Sequence, residues 1–198
     1  CIILFLSAAP SGAQTFFQNA AKRRILPNPI ALPQKMRYAY TKHNLQGRMF
    51  HMVRRDKENY YLDIAQAVAG RGTCIRRNFG AIIVKNDQIL STGYTGAPRG
   101  RKNCSDLGFC LREKMNIPRG ERYELCRSVH AEANAIISAA RSEMIGSTLY
   151  LVGKDAKTGE IVHNANSCSM CKRMIINAGI ARVVVRNSPT DFTALYVQ

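Results

Sequence analysis

Four residues carry the clearest chemical signal in the sequence: a histidine, a glutamate and two cysteines. His130 and Glu132 are two residues apart, and the run Cys168-Ser169-Met170-Cys171 begins 36 residues after the glutamate. Imidazole and thiolate groups are ligands that zinc prefers, and three protein ligands leave the fourth tetrahedral position for a water molecule. A zinc ion held in this way lowers the pKa of that water to about 7. We therefore predict a catalytic zinc site at His130, Cys168 and Cys171.

Glu132 is predicted to move protons at this site. It follows His130 too closely to share the same ligand geometry, but its carboxylate can lie beside the metal-bound water, where hydrolysis needs a proton carrier. Taken alone, Glu132 would be interpreted as a solvated carboxylate at a helix start. The two cysteines alone would be interpreted as part of a closed, structural zinc site. The joint pattern favours catalysis.

Two helices are expected to position these groups. An alanine-rich helix is predicted over residues 129–140 with Ser128 as its N-cap, and a second over residues 168–178, ending at Gly179. Two cysteines three residues apart at a helix start lie one turn apart and can reach one ion. A helix N-terminus also favours thiolate over thiol. Both helix starts are therefore expected to converge on the metal.

The remaining elements alternate between strands and helices. We predict a helix over residues 58–69, a hairpin of strands 79–84 and 88–94, and strands over residues 148–152 and 182–186. The polar stretch between them, residues 95–127, is long for a loop in a compact domain, which is typical of a functional or braced segment. This alternation indicates an α/β fold whose sheet has parallel pairings and helices on its faces.

The net charge of +16 would ordinarily suggest nucleic acid or an anionic membrane as a partner. Residues 1–55, however, hold nine of the 29 Lys and Arg residues and no Asp or Glu, so much of the excess lies near the N-terminus. We expect residues 1–51 to be a basic leader, disordered or non-native, and residues 52–198 to form the folded domain. The apolar run at residues 2–6 is far shorter than the roughly 20 residues that span a bilayer, so no membrane association is expected.

Seven cysteines are many for this length, and six of them lie between positions 74 and 171. The Cys-x-x-Cys pair and the odd count favour metal binding over a disulfide framework. The sequence therefore indicates a reducing compartment, and we expect a cytoplasmic protein.

Beyond the zinc motif, three segments carry a family resemblance. They are residues 91–100 (STGYTGAPRG), 130–136 (HAEANAI) and 175–180 (IINAGI). With these residues, the chain resembles bacterial deoxycytidylate (dCMP) deaminases of the cytidine/deoxycytidylate deaminase superfamily over about residues 54–186. It departs from the pattern at Ser167, where proline is usual, and at Thr95, where many members have asparagine. The resemblance implies a three-layer α/β/α fold, with a central mixed sheet and helices on both faces.

The resemblance also implies the reaction, which is hydrolysis of dCMP to dUMP and ammonia in the supply of dTTP precursors. A zinc-activated water attacks C4 of the base, while Glu132 accepts a proton and then delivers protons to N3 and the departing amine.

A monophosphate needs cationic or backbone donors, and Arg99 with the amides of residues 93–100 are the candidates. The alternative for each such cation is a solvated loop charge. Some family members respond to deoxynucleoside triphosphates through this segment and form oligomers, so triphosphate effectors and a homo-oligomer are expected. The predicted substrate or effector contacts are Gly93, Tyr94, Thr95, Gly96, Arg99 and Asn134.

A second cysteine group, which we call the four-cysteine group, comprises Cys74, Cys104, Cys110 and Cys126. Four thiolates suit a structural zinc that braces the long loop, and some relatives use a second zinc in this region. Cys74 and Cys104 match the ligand positions of relatives best. The alternative is a set of independent buried or free cysteines.

Two other functions remain open at this point. One is deamination of another base, such as tRNA adenosine or free cytidine, with the same metal centre. The other is a non-catalytic, zinc-stabilised module for DNA uptake or nucleic-acid binding. Glu132 argues against the second, because a structural site needs no carboxylate beside an open position. No basic, aromatic-lined groove is evident in residues 56–198, so nucleic acid is not the expected partner.

Overall fold

A computed structural model of the protein describes residues 54–118 and 120–197, so the predicted leader over residues 1–51 lies outside the described residues. The described chain forms six helices, a short 3-10 turn and five strands. In chain order they are α1 Lys57–Ala69, β1 Arg77–Lys85, β2 Gln88–Tyr94, α2 Cys104–Leu107, α3 Leu111–Lys114, the 3-10 turn Tyr123–Leu125, α4 Ala131–Ile136, α5 Arg141–Met144, β3 Thr148–Asp155, α6 Ser169–Ala178, β4 Arg182–Arg186 and β5 Phe192–Tyr196.

The five strands form one sheet in the order β2-β1-β3-β4-β5. Only β3 and β4 pair in parallel, and the other three pairings are antiparallel. The predicted hairpin is confirmed: Lys85 pairs with Gln88, and the two residues between them, Asn86 and Asp87, have φ of 51° and 60°. Two positive-φ residues make the tight turn whose twist matches that of the flanking strands. The sheet is therefore mixed, as predicted.

Alternate residues of the central strands supply two separate cores. On one face, Ile82, Tyr150 and Val184 pack with buried residues of α1. On the other face, the neighbouring positions pack with residues of α4, α5 and α6. This alternation follows from the two-residue period of a strand, which turns successive side chains to opposite faces. The result is three layers, helix on sheet on helix, and the predicted fold class is confirmed.

The helix predicted over residues 129–140 was wrong in its bounds. Val129 is still extended, because its N–H donates to the Gly96 carbonyl and its own carbonyl accepts from the Gly96 N–H. The helix therefore begins at Ala131, and His130, rather than Ser128, takes the N-cap position. Near the other end, the Ser138 hydroxyl donates to the Asn134 carbonyl, where the chain turns towards α5.

Two further differences concern the predicted loop over residues 95–127 and the edge of the sheet. The stretch over residues 95–127 is not one loop, because it contains α2, α3 and the 3-10 turn. The fifth strand, β5, pairs antiparallel with β4 along the edge of the sheet and was not predicted. Within the described ranges, none of the helices has the length and apolar character needed to cross a membrane.

Candidate metal centre and active site

The residues predicted to bind zinc lie at the starts of two helices on the same face of the sheet. His130 is the N-cap of α4 and Cys168 is the N-cap of α6, both with extended backbone. Cys171 lies in the first turn of α6, and its backbone N–H donates to the Cys168 sulfur over 3.5 Å. Because α4 and α6 pack into the same core, these two helix starts are held together by the fold.

The three side chains meet at distances that suit zinc. The Nδ1 atom of His130 lies 3.5 Å from the Cys168 sulfur and 3.4 Å from the Cys171 sulfur. All three ligand atoms lie within 4.8 Å of one another. Tetrahedral zinc, with bonds of about 2.0–2.1 Å to nitrogen and about 2.3 Å to sulfur, separates such atoms by about 3.6 Å. We refer to His130, Cys168 and Cys171 as the triad, and its geometry fits a zinc ion.

The electrostatic surroundings of the triad also favour a cation. Burial, the nearby Glu132 carboxylate and the Cys168 thiol raise the pKa of the Cys171 thiol above its ordinary value. A bound divalent cation acts in the opposite direction, since a coordinated thiol is deprotonated. The two helix N-termini favour the thiolate form of the cysteines, which is the form that binds a metal ion.

Glu132 lies where the sequence placed it, beside the triad. It occupies the first turn of α4 and is only 4% exposed. Together with His130 and Cys168 it borders a cavity of about 160 Å³. A buried carboxylate next to a metal site and open to a cavity is placed to exchange protons with a small molecule bound there.

Two of the predicted nucleotide contacts hold α4 against the sheet. Gly93 on β2 lies so close to α4 that a Cβ atom there would overlap the backbone of Ala131 and Ala135. The Asn134 side chain donates to the Tyr94 carbonyl over 2.8 Å. This seam fixes the helix that carries both His130 and Glu132, so Gly93 and Asn134 contribute to the site through the position of α4.

Of the other four predicted nucleotide contacts, one lines the cavity and three do not. Thr95 is buried, lines the cavity and accepts a hydrogen bond from the Phe79 N–H. Gly96 is paired with Val129, and Tyr94 and Arg99 are exposed. Of these residues, only Thr95 borders the cavity. Nucleotide binding by the remaining residues stays a prediction.

The four-cysteine group is assembled less tightly than the triad. Burial is the main reason that the pKa of the Cys126 thiol is raised, and the neighbouring thiols of Cys74, Cys104 and Cys110 raise it further. The other three thiols are therefore close enough to Cys126 to influence its pKa. Among the residues that the structure describes, however, only the triad brings three or more ligand atoms within 4.8 Å of each other. These cysteines and those of the triad are all free thiols. A second zinc stays a prediction.

The structure adds residues to the cavity that the sequence analysis did not identify. Arg76, Arg77, Arg112 and Tyr123 all line it. The Tyr123 ring packs edge-on against the His130 ring at 5.1 Å, and the Arg112 guanidinium lies 4.6 Å from the centre of the Tyr123 ring. The only sequence signal available was the adjacent pair Arg76-Arg77, which lies just before the strand predicted over residues 79–84. Nothing in the spacing of Arg112 or Tyr123 relates them to His130.

Several known proteins have sequences similar to that of this chain. Residues 55–187 match the family model described as the cytidine and deoxycytidylate deaminase zinc-binding region. The chain is 37% identical to the deoxycytidylate deaminase of Mycobacterium phage D29 over 67% of this chain and 96% of that protein. It is 30% identical to the deoxycytidylate deaminase of Schizosaccharomyces pombe over 66% of this chain, but spans only 37% of that protein. Among solved structures, the apo dCMP deaminase of cyanophage S-TIM5 is 29% identical, with a TM-score of 0.46 over 66% of this chain and 82% of that one.

Proposed function

The chain belongs to the cytidine and deoxycytidylate deaminase family, and from this we propose that it hydrolyses dCMP to dUMP and ammonia. The observation that carries the proposal is the placement of Glu132. This buried carboxylate lies beside three zinc-compatible ligands and opens onto a cavity. The relative from phage D29 bears the name deoxycytidylate deaminase, and the match covers 96% of that relative.

The residues of this chain have distinct parts in that reaction. His130, Cys168 and Cys171 hold the zinc ion, which when bound activates a water molecule for attack on the base. Glu132 accepts one proton from the attacking water and delivers it to N3, and it then accepts the second proton, from the hydroxyl newly attached to C4, and delivers it to the departing amine as the C4–N bond breaks. Because the carboxylate first accepts and then donates, one residue serves both steps. Its burial excludes bulk water from this exchange.

The proposal also includes a second zinc ion, the cellular compartment, the oligomeric state and the effectors. We infer that a second, structural zinc lies at the four-cysteine group, where the thiols of Cys74, Cys104 and Cys110 raise the pKa of the Cys126 thiol. The free thiols of the described residues are typical of a reducing compartment, which supports a cytoplasmic protein. A homo-oligomer and deoxynucleoside triphosphate effectors rest on the resemblance alone.

The two alternative functions receive less support. A non-catalytic zinc module gives no reason for a buried glutamate beside the triad, because burying an unneeded carboxylate is costly. A deaminase of a nucleoside or of tRNA would use the same triad, so the metal centre does not separate it from a dCMP deaminase. The substrate itself must decide between them.

Ammonia release from a panel of substrates tests the proposal. The zinc-loaded protein is incubated with dCMP, deoxycytidine, dCTP and a tRNA anticodon stem, and we expect dCMP to be the preferred substrate. Parallel reactions with a Cys171→Ala variant identify ammonia from any contaminating deaminase. Turnover of the tRNA stem without turnover of dCMP would contradict the proposal.

A further inference from the structure

One stack of side chains connects the wall of the cavity to the metal centre. The Arg112 guanidinium lies 4.6 Å from the centre of the Tyr123 ring. That ring lies 5.1 Å from the His130 ring, and the two ring planes are inclined at 84°. All three side chains line the cavity. Because Arg112 and His130 both contact Tyr123, the position of Arg112 can affect the orientation of a metal ligand.

The His130 ring depends on this contact for its orientation. Its Nδ1 atom faces the two sulfurs of the triad. Histidines that bind metals ordinarily donate a hydrogen bond from their second ring nitrogen, and that bond fixes the ring. Among the residues that the structure describes, no group accepts such a bond from Nε2 of His130. The Tyr123 ring, which packs against the imidazole, is therefore the support that the described chain offers.

Tyr123 in turn depends on its neighbours. It is the first residue of the 3-10 turn and is partly buried, and its hydroxyl makes no hydrogen bond to the described residues. Short 3-10 segments have poor hydrogen-bond geometry and little stability of their own. The ring is therefore held by packing, and the Arg112 guanidinium lies over it. A cation over an aromatic ring is attracted to the ring face, most strongly where water is excluded.

Arg112 can hold that ring because its own position is fixed. The residue lies in α3 and is only 5% exposed. One guanidinium nitrogen donates to the Pro118 carbonyl over 2.7 Å and to the Glu121 carbonyl over 2.5 Å. Both carbonyls belong to the segment between α3 and the 3-10 turn, so Arg112 also holds the chain that leads into Tyr123. Arginine suits both tasks, since its planar guanidinium donates from its edge and stacks with its face.

We propose that Arg112 is a positioning residue of the metal centre. It holds the Tyr123 ring against His130, and the ring orients the imidazole so that Nδ1 meets the two cysteines of the triad. The inference rests on the proposed function, because it concerns a zinc ligand on which deamination depends. Metal binding is measured without substrate, so the inference can be tested whichever base the enzyme acts on.

A double-mutant cycle of Arg112→Met and Tyr123→Leu tests the inference. Each protein is titrated with Co²⁺, whose visible absorption reports a tetrahedral thiolate site. The Cys171→Ala protein supplies the background from any cobalt outside the triad. We expect both single variants to weaken Co²⁺ binding by about 2- to 12-fold, the effect of losing one aromatic contact. The double variant should bind Co²⁺ as tightly as Tyr123→Leu alone, since Arg112 acts through the ring.

The sign of the effect separates positioning from charge. Loss of a nearby positive charge strengthens the binding of a cation, so weaker binding in Arg112→Met has no simple electrostatic origin. Arg77→Met removes another arginine from the cavity wall and should therefore not weaken Co²⁺ binding. Losses that multiply in the double variant, or unaltered Co²⁺ affinity in Arg112→Met, would overturn the inference.

The thermal unfolding of each variant is also measured, because Arg112 holds loop carbonyls. If Arg112→Met does not fold, Arg112→Lys takes its place. Lysine keeps the charge and can donate to a carbonyl, but it has no planar group to lie over the ring. We expect weaker Co²⁺ binding here too, and unaltered affinity would overturn the inference. If Cys171→Ala removes no cobalt, the triad is not the metal site and the inference fails with it. Absence of dCMP turnover in a protein that binds Co²⁺ at the triad would instead contradict the proposed function alone.

Discussion

The two groups of cysteines in this molecule are built on different supports. The triad residues stand at the N-termini of α4 and α6, which pack into the core beneath the sheet. The four-cysteine group comes from the segment before β1 and from short elements of four residues or fewer. Only the triad brings its ligand atoms within 4.8 Å of one another among the described residues. Helix ends fixed on a packed sheet therefore position ligands through the fold itself.

Short helices do not have this support. A helix of one turn gains little from its own hydrogen bonds and depends on tertiary contacts. The contacts around the four-cysteine group include polar ones, such as the Cys104 sulfur 3.7 Å from the Ser128 hydroxyl and the Arg76–Glu113 ion pair. A metal ion bound by four thiolates would stabilise this region.

The largest expected effect is that of Cys171→Ala on the triad. Two remaining protein ligands cannot hold zinc as three do, so we expect the triad zinc and all detectable ammonia release from dCMP to be lost. Cys171 is fully buried, so circular dichroism should accompany the metal analysis to show that the fold persists. Retention of both zinc and activity would show that the triad is not the metal centre.

Cys126→Ser is the matching change in the four-cysteine group. We expect the zinc content to fall from about two ions per chain to about one, with the triad zinc retained. The unfolding temperature should fall, by roughly 2–4 °C for each kcal/mol of stability lost in a domain of this size. A zinc content of one ion per chain in the unaltered protein would show that the four-cysteine group binds no zinc.

Gly93→Ala tests the support of the triad rather than its ligands. The added methyl group would overlap the backbone of α4, so we expect a loss of about 1–3 kcal/mol in the free energy of unfolding. Because α4 carries His130 and Glu132, the activity should also fall. Thr92→Ala on the exposed face of the same strand is the control and should change neither quantity. A Gly93→Ala protein of unaltered stability would show that β2 does not fix the helix.

A smaller effect is expected from Tyr123, whose ring packs against the His130 ring. Loss of an aromatic pair costs about 0.5–1.5 kcal/mol, so Tyr123→Leu should weaken zinc binding by about 2- to 12-fold. Tyr123→Phe keeps the ring and should restore the affinity. Competition with a zinc chelator measures both variants, and equal affinities for Leu and Phe would exclude a positioning role for the ring.

The sequence predicted those features that local periodicity and spacing determine. The β1–β2 hairpin, the helix after Cys168 and the meeting of His130 with the two cysteines follow from residues that are close together or carry a strong motif. The start of α4 was misplaced because the pairing of Val129 with Gly96 joins segments 33 residues apart. Arg112 and Tyr123 reach the cavity only through tertiary packing, which no local pattern records.

The proposed mechanism requires Glu132 to transfer protons beside a zinc ion held by the triad. Its most direct test is the rate of ammonia release from dCMP by Glu132→Gln, measured on protein whose zinc content equals that of the unaltered enzyme. The substitution keeps the size of the side chain but removes its ability to accept a proton, so we predict a fall in kcat of about 10²–10⁴-fold. A Glu132→Gln protein that releases ammonia at the unaltered rate would contradict the account.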